Sequence, residues 1–107
     1  MSDLAWASGF FEGEGCLGIY DNGRGRFYLR AEVSNTDEDS LRRFMTAVGI
    51  GRLYGPYQKG KPSDKAVFVW QAPGFEKTQA VIAMLWSGLG ERRRIKARQI
   101  LHDMRGR

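Results

Sequence analysis

Residues 7–15 read ASGFFEGEG, and this stretch decides how the rest of the chain is read. Two carboxylates, Glu12 and Glu14, stand among three glycines, Gly9, Gly13 and Gly15, at the end of the first apolar segment. Carboxylates rarely enter apolar segments, and glycine weakens a helix interior by about 1 kcal/mol relative to alanine. Gly9 and Gly13 are four apart, so on a helix they share one face. Small residues at that spacing let two helix backbones approach closely.

Outward from this stretch the elements follow in order. Ser2 or Asp3 can cap a helix over 3–13, with Leu4, Trp6, Ala7, Phe10 and Phe11 at helical spacing. Gly13 and Gly15 end it. Residues 16–21 read as a strand, Asn22-Gly23-Arg24-Gly25 as a hairpin turn, and 26–34 as a second strand. That second strand alternates: Phe27, Leu29, Ala31 and Val33 on one face, Arg26, Tyr28, Arg30 and Glu32 on the other. Asn35-Thr36-Asp37 caps a second helix, whose apolar positions are Leu41, Phe44, Met45 and Val48 and which stops at Gly49. Strands over 50–57 and 66–72 flank a polar loop at 58–64. A helix over 75–86 turns Val81, Leu85 and Trp86 inward, Ser87-Gly88 breaks it, and an arginine-rich helix covers 89–104.

The order α-β-β-α-β-β-α-α predicts an α+β fold in one domain over residues 1–107. A four-stranded, mainly antiparallel sheet carries helices on one face and leaves the other free. On that free face alternation places Gly18, Tyr20 and Asn22 from the first strand and Arg52 and Tyr54 from the third. Arg26, Tyr28, Arg30 and Glu32 join them from the second. Arg24 in the turn and Lys59 and Lys61 in the loop add cations at the margins. Such a face suits DNA: cations for phosphates, arginine and tyrosine for base edges. The same alternation also describes an ordinary solvated sheet face.

Composition narrows the partner. Lys and Arg number 17 against 12 Asp and Glu, a net charge of +5, which favours an anionic partner. At 42% hydrophobic residues the chain should fold rather than stay disordered. A single cysteine, Cys16, makes no disulfide within the chain and fits a reducing compartment. No apolar run approaches the roughly 18 residues of a membrane span, and no signal peptide is evident. These features predict a soluble intracellular protein with no membrane partner.

ASGFFEGEG resembles the signature nonapeptide of the LAGLIDADG homing endonucleases. Gly9, Phe10-Phe11, Glu12, Gly13, Glu14 and Gly15 stand where that pattern expects them. Ala7 for the leading leucine, Ser8 for alanine and glutamate at both acidic positions are departures. Asn35-Thr36-Asp37 and the segment LGERRRIKARQIL at 89–101 also look like family features. The resemblance implies the αββαββα fold and a homodimer, since there is one motif per chain. It implies a dimer interface at Gly9, Phe10 and Gly13. Two Glu14 carboxylates would then meet at the twofold axis, where their repulsion calls for a divalent cation. The implied cofactor is Mg²⁺, with Mn²⁺ substituting, and the implied substrate is double-stranded DNA at a long near-palindromic site. Glu14 would be the metal ligand and Glu12 a structural residue. Arg93 would face the cleaved phosphate, with Arg92 or Arg94 as neighbouring choices and DNA contacts. Asn35 either positions the attacking water or caps the second helix. Two rivals use the same fold: a non-catalytic sequence-specific DNA-binding protein, and an RNA-binding maturase.

Overall fold

The structure, a computed structural model, describes residues 3–58 and 60–106. Lys59, one of the expected DNA contacts, and Ser2, one of the two expected caps, lie outside the described residues.

Helix α1 spans Asp3–Glu14 and runs directly into strand β1, Gly15–Asp21. After the turn, β2 covers Phe27–Asn35, α2 Glu38–Val48, β3 Arg52–Tyr57 and β4 Val67–Pro73. Helix α3, Phe75–Leu85, passes through a single 3-10 turn at Trp86–Gly88 to α4, Glu91–Arg105. The strands form one antiparallel sheet in the order β1-β2-β4-β3.

The alternation of apolar residues sets which side of the sheet the helices cover. Leu17 of β1, Leu29, Ala31 and Val33 of β2, and Trp70 and Ala72 of β4 are buried together. Against them pack Ala7 and Phe11 of α1, Leu41, Phe44 and Val48 of α2, Val81, Ile82 and Leu85 of α3, and Ala97 and Ile100 of α4. All four helices thus sit on one face, as the sequence predicts. Phe27 shares the inward side of β2 but is 45% exposed. It opens the strand at the hairpin end, beyond the edge of the helical layer.

Trp70 anchors the middle of the core. Its ring meets Phe44 edge-on, with centroids 4.7 Å apart, and its Nε1–H donates to the Ile50 carbonyl at 3.0 Å. That bond fixes the approach to β3. Gly51 has φ +94°, and a Cβ there would collide with the Trp70 indole. The expected strand over 50–57 therefore begins only at Arg52. Trp86 departs from expectation in a second way. It is only partly buried and opens the 3-10 turn rather than closing α3 in the core.

Helix α2 is capped at both ends as its sequence demands. Asp37 is the N-cap, accepting from the backbone N–H groups of Asp39 and Ser40 and from the Ser40 hydroxyl at 2.7 Å. Gly49 closes it in the left-handed region at φ 73°, donating to the Met45 carbonyl. The Ser40 hydroxyl, then the backbone N–H groups, hold the Asp37 carboxyl below its ordinary value. A depressed carboxyl stabilises the fold above its unfolded pKa and loses that contribution as pH falls through the folded one. Asp37→Ala is expected to lower the melting temperature by about 4–8 °C at neutral pH, with the difference closing in acid. Thermal melts of both proteins across pH 2–7 check this, and an undiminished gap at the acid end would contradict it.

Candidate nucleic-acid interface

The outer face of the sheet follows from the strand register. Cys16, Gly18 and Tyr20 lie opposite Glu32, Arg30 and Tyr28. Glu32 lies opposite Gln71, which in turn faces Arg52, and Tyr54 pairs with Val69. The expected residues Tyr20, Tyr28, Arg30, Glu32, Arg52 and Tyr54 therefore share one side. Gln71 was missing from the expected set, although alternation along 66–72 places it outward.

The centre of this face is a closed network. Tyr20 lies across Gly18, where a Cβ would stand 3.1 Å from its ring. The Arg30 guanidinium stacks on the Tyr20 ring at 3.6 Å. Its Nη1 donates to the Tyr28 hydroxyl at 3.0 Å, and its Nη2 lies 3.2 Å from Glu32 Oε1. Gln71 Nε2 donates to the same Glu32 oxygen at 2.8 Å. Arg30 Nε is buried and has no hydrogen-bond partner among the described residues. Burial opposes the Arg30 charge, but Glu32 and the Tyr20 hydroxyl outweigh it and raise its pKa. Burial, reinforced by Cys16, raises the Tyr20 phenol as well. Arg30 is thus a neutralised hub, not the free cation that alternation alone suggests.

Free charge lies at the margins. Arg24 and Arg26 are exposed at the hairpin, with Arg26 just before β2 rather than inside it. Asn22 Oδ1 shapes this turn by accepting from the N–H groups of Arg24 and Arg26. Arg52 and Lys61 are exposed, and Tyr54 is 40% exposed.

The acidic end lies where α1 meets β1. Glu14 is the last residue of the helix and is exposed. Gly9 and Gly13 are exposed too, with open space where each Cβ would be. Phe10 does not share that bare strip: it stacks on Trp6 and reaches Phe44. Phe10 is partly buried on the flank facing α2. Gly15 pairs with Val33, so Asn35, two residues on, ends β2 at the same end of the sheet as Glu14. Asn35 Oδ1 accepts from the Asp37 N–H at 2.9 Å. It braces the turn before α2, while Asp37 is the cap itself.

Beside this end is a cavity of about 310 Å³ lined by Glu12, Arg92, Arg93 and Lys96. Arg93 Nε donates to the Glu12 carbonyl at 3.1 Å and lies 3.6 Å from its carboxylate. Arg94 points elsewhere. Its Nε donates to the Trp86 carbonyl and its Nη2 to that of Ser87, with the guanidinium 5.3 Å from the Trp86 ring. Arg94 ties down the preceding turn, so of the three consecutive arginines only Arg92 and Arg93, together with Lys96, line the cavity at Glu12. No group of three or more His, Cys, Asp or Glu side chains gathers as a metal cluster among the described residues. No helix is long and apolar enough to cross a membrane among them either.

No protein-family model matches the sequence, and no curated protein matches it. Solved structures do match. The homing endonuclease I-CvuI, solved in complex with a DNA target, superposes with a TM-score of 0.73 at 18% identity, over 92% of this chain and 63% of its own. The LAGLIDADG meganuclease I-AabMI, solved bound to uncleaved DNA, gives 0.66 at 20% identity over 88% and 32%. The homing endonuclease I-TnaI gives 0.66 at 19% identity over 95% and 73%. The chain therefore spans under two thirds of I-CvuI and about a third of I-AabMI. With ASGFFEGEG at the junction of α1 and β1, and four helices on one side of a β1-β2-β4-β3 sheet, this chain has the fold of the LAGLIDADG homing endonucleases.

Proposed function

We propose that this chain is a site-specific DNA endonuclease that works as a homodimer with a divalent cation, Mg²⁺ first. The observation that carries this reading is the exposed Glu14 carboxylate at the end of α1, two residues past Glu12, whose cavity Arg92 and Arg93 line, with the bare Gly9 and Gly13 positions on the same helix. Its resemblance to DNA-bound homing endonucleases supports the same reading.

One exposed carboxylate per chain suits Mg²⁺. That ion takes one or two carboxylates and fills its remaining positions with water and phosphate oxygens. Glu14 would hold it, with a second Glu14 brought close by a twofold partner packed along Gly9 and Gly13. When bound, such an ion polarises the phosphodiester and helps activate water for hydrolysis. The chain's own residues supply the rest. Arg92 and Arg93 hydrogen-bond phosphate oxygens and stabilise the charge that develops there. Asn35, at the same end of the sheet, orients water through the amide group left free by its turn contact. Arg24, Arg26, Arg52 and Lys61 neutralise backbone phosphates along the duplex, and Tyr54 and Gln71 meet base edges. Twofold symmetry makes the preferred site near-palindromic.

A cleavage selection tests this. Purified protein meets a randomised duplex library in Mg²⁺, and the ends are sequenced. Discrete double-strand ends at one near-palindromic site are expected. Binding to that site should fall with a log–log salt slope of about −0.9 for each neutralised phosphate. Specific retention with no ends, in Mg²⁺ and in Mn²⁺, would instead leave a DNA-binding protein on a nuclease fold.

A further inference from the structure

Glu12 belongs to the signature stretch but lies outside the chemistry assigned above. Its contacts reach far along the chain. Glu12 Oε2 accepts from the Gly90 N–H at 2.9 Å, across 78 positions of sequence. Gly90 is the N-cap of α4, and it makes no side-chain cap bond of its own. A carboxylate from another helix thus supplies the cap, where the exposed N–H groups and the helix dipole favour negative charge. The same carboxylate pairs with Arg93, whose Nε also binds the Glu12 carbonyl. The Arg93 guanidinium lies 5.4 Å from the Phe11 ring as well. Gly90 leaves room for all this: a Cβ there would sit 2.7 Å from Glu12 Oε1.

From this geometry we propose that Glu12 is a positioning residue, a clasp that fixes the first turn of α4 and its arginines at a set distance from Glu14. The proposal rests on the endonuclease reading. Glu12 touches neither phosphate nor cation in it. Glu14 follows Glu12 by two residues on the same helix end, and Arg93 is held by Glu12 through both backbone and side chain. One residue therefore carries the spacing between acid and base of the site. A misplacement of about 1 Å costs on the order of 10²-fold in rate.

The test uses three variants of the full chain. Glu12→Ala removes cap and ion pair. Glu12→Gln keeps an oxygen for the Gly90 N–H but loses the charge on Arg93. Gly90→Ala has an extended backbone that alanine accepts, φ −72° and ψ 167°, and displaces only the flexible end of Glu12. Three measurements are made on each. Nitrogen-15 spectra of the Arg93 Nε–H without metal report its exchange protection. Affinity for the selected duplex is measured in Ca²⁺, and single-turnover cleavage of that duplex in Mg²⁺. Protection should fall in Glu12→Ala and Gly90→Ala, where Nε keeps only the Glu12 carbonyl, and less in Glu12→Gln. Cleavage should fall about 10²-fold in Glu12→Ala and Gly90→Ala and less in Glu12→Gln, with duplex affinity within about twofold of the parent. Loss of affinity in step with cleavage would mean a merely structural residue and overturn the proposal. Unchanged cleavage beside lost protection would overturn it too, leaving the endonuclease reading intact. A parent protein that never cleaves removes the endonuclease reading itself, and the positioning role with it.

Discussion

Glu14→Gln is expected to abolish cleavage while leaving DNA binding in place. Glutamine keeps the volume and the hydrogen-bonding capacity of the side chain and loses only the charge. The Glu14 side chain is exposed and makes no hydrogen bond or ion pair among the described residues, so the fold does not depend on its charge. Loss of a metal-holding carboxylate removes several kcal/mol of transition-state stabilisation, a fall of about 10³-fold or more in rate. Affinity for the selected duplex should hold or improve, since one negative charge leaves the surface that would face phosphates in the proposed complex. Cleavage and gel-shift assays on the same preparation separate the two effects. A variant that still cuts within tenfold of the parent would remove Glu14 from the chemistry.

Trp70→Ala should produce the largest loss of stability. The side chain is wholly buried at the meeting point of α2, β3 and β4, with Phe44 in a T-shaped contact and the Ile50 carbonyl bound to its indole N–H. Truncation costs about 3–5 kcal/mol in lost burial and cavity. The Ile50 carbonyl loses its partner as well, which adds to the cost. Against a total of about 5–15 kcal/mol, the melting temperature should drop on the order of 20 °C. Trp70→Phe should cost less, because a six-membered ring still fills most of the site and the loss is confined to the hydrogen bond and the remainder of the indole. Urea titration of the three proteins measures both terms. Equal losses in Phe and Ala would place the stabilisation in the Ile50 bond rather than in packing.

Much of the fold is legible in the sequence because its signals are local. Asn22-Gly23 marks the hairpin, Asp37 and Gly49 bracket α2, and the alternation of 26–34 orients β2 correctly. Where local pattern misleads, the reason is an edge. Trp86 continues the spacing of Val81 and Leu85, but the helix ends at Leu85 and the ring is left half out. The acidic end was legible as a set of residues, not as an arrangement. Nothing near Glu12 in the sequence announces Gly90, and nothing near Arg94 says that its charge is spent on the carbonyls of Trp86 and Ser87. Gln71 needed the register of β2 against β4 before it could join Glu32.

Under the proposed function, the closed network on the outer face has a consequence for how the recognised site would change. Tyr20, Tyr28, Arg30, Glu32 and Gln71 come from three strands and hold one another. Exchanging Glu32 alone would release the Arg30 charge and free the Gln71 amide at once, so a single substitution rewrites three surface groups. Effects at such positions combine non-additively, by about 0.5–3 kcal/mol. Arg52 and Tyr54, outside the network, can vary one at a time. A lineage drifting toward a new site would therefore alter the margins gradually and the middle only in concerted steps, and a designer of altered specificity faces the same divided surface.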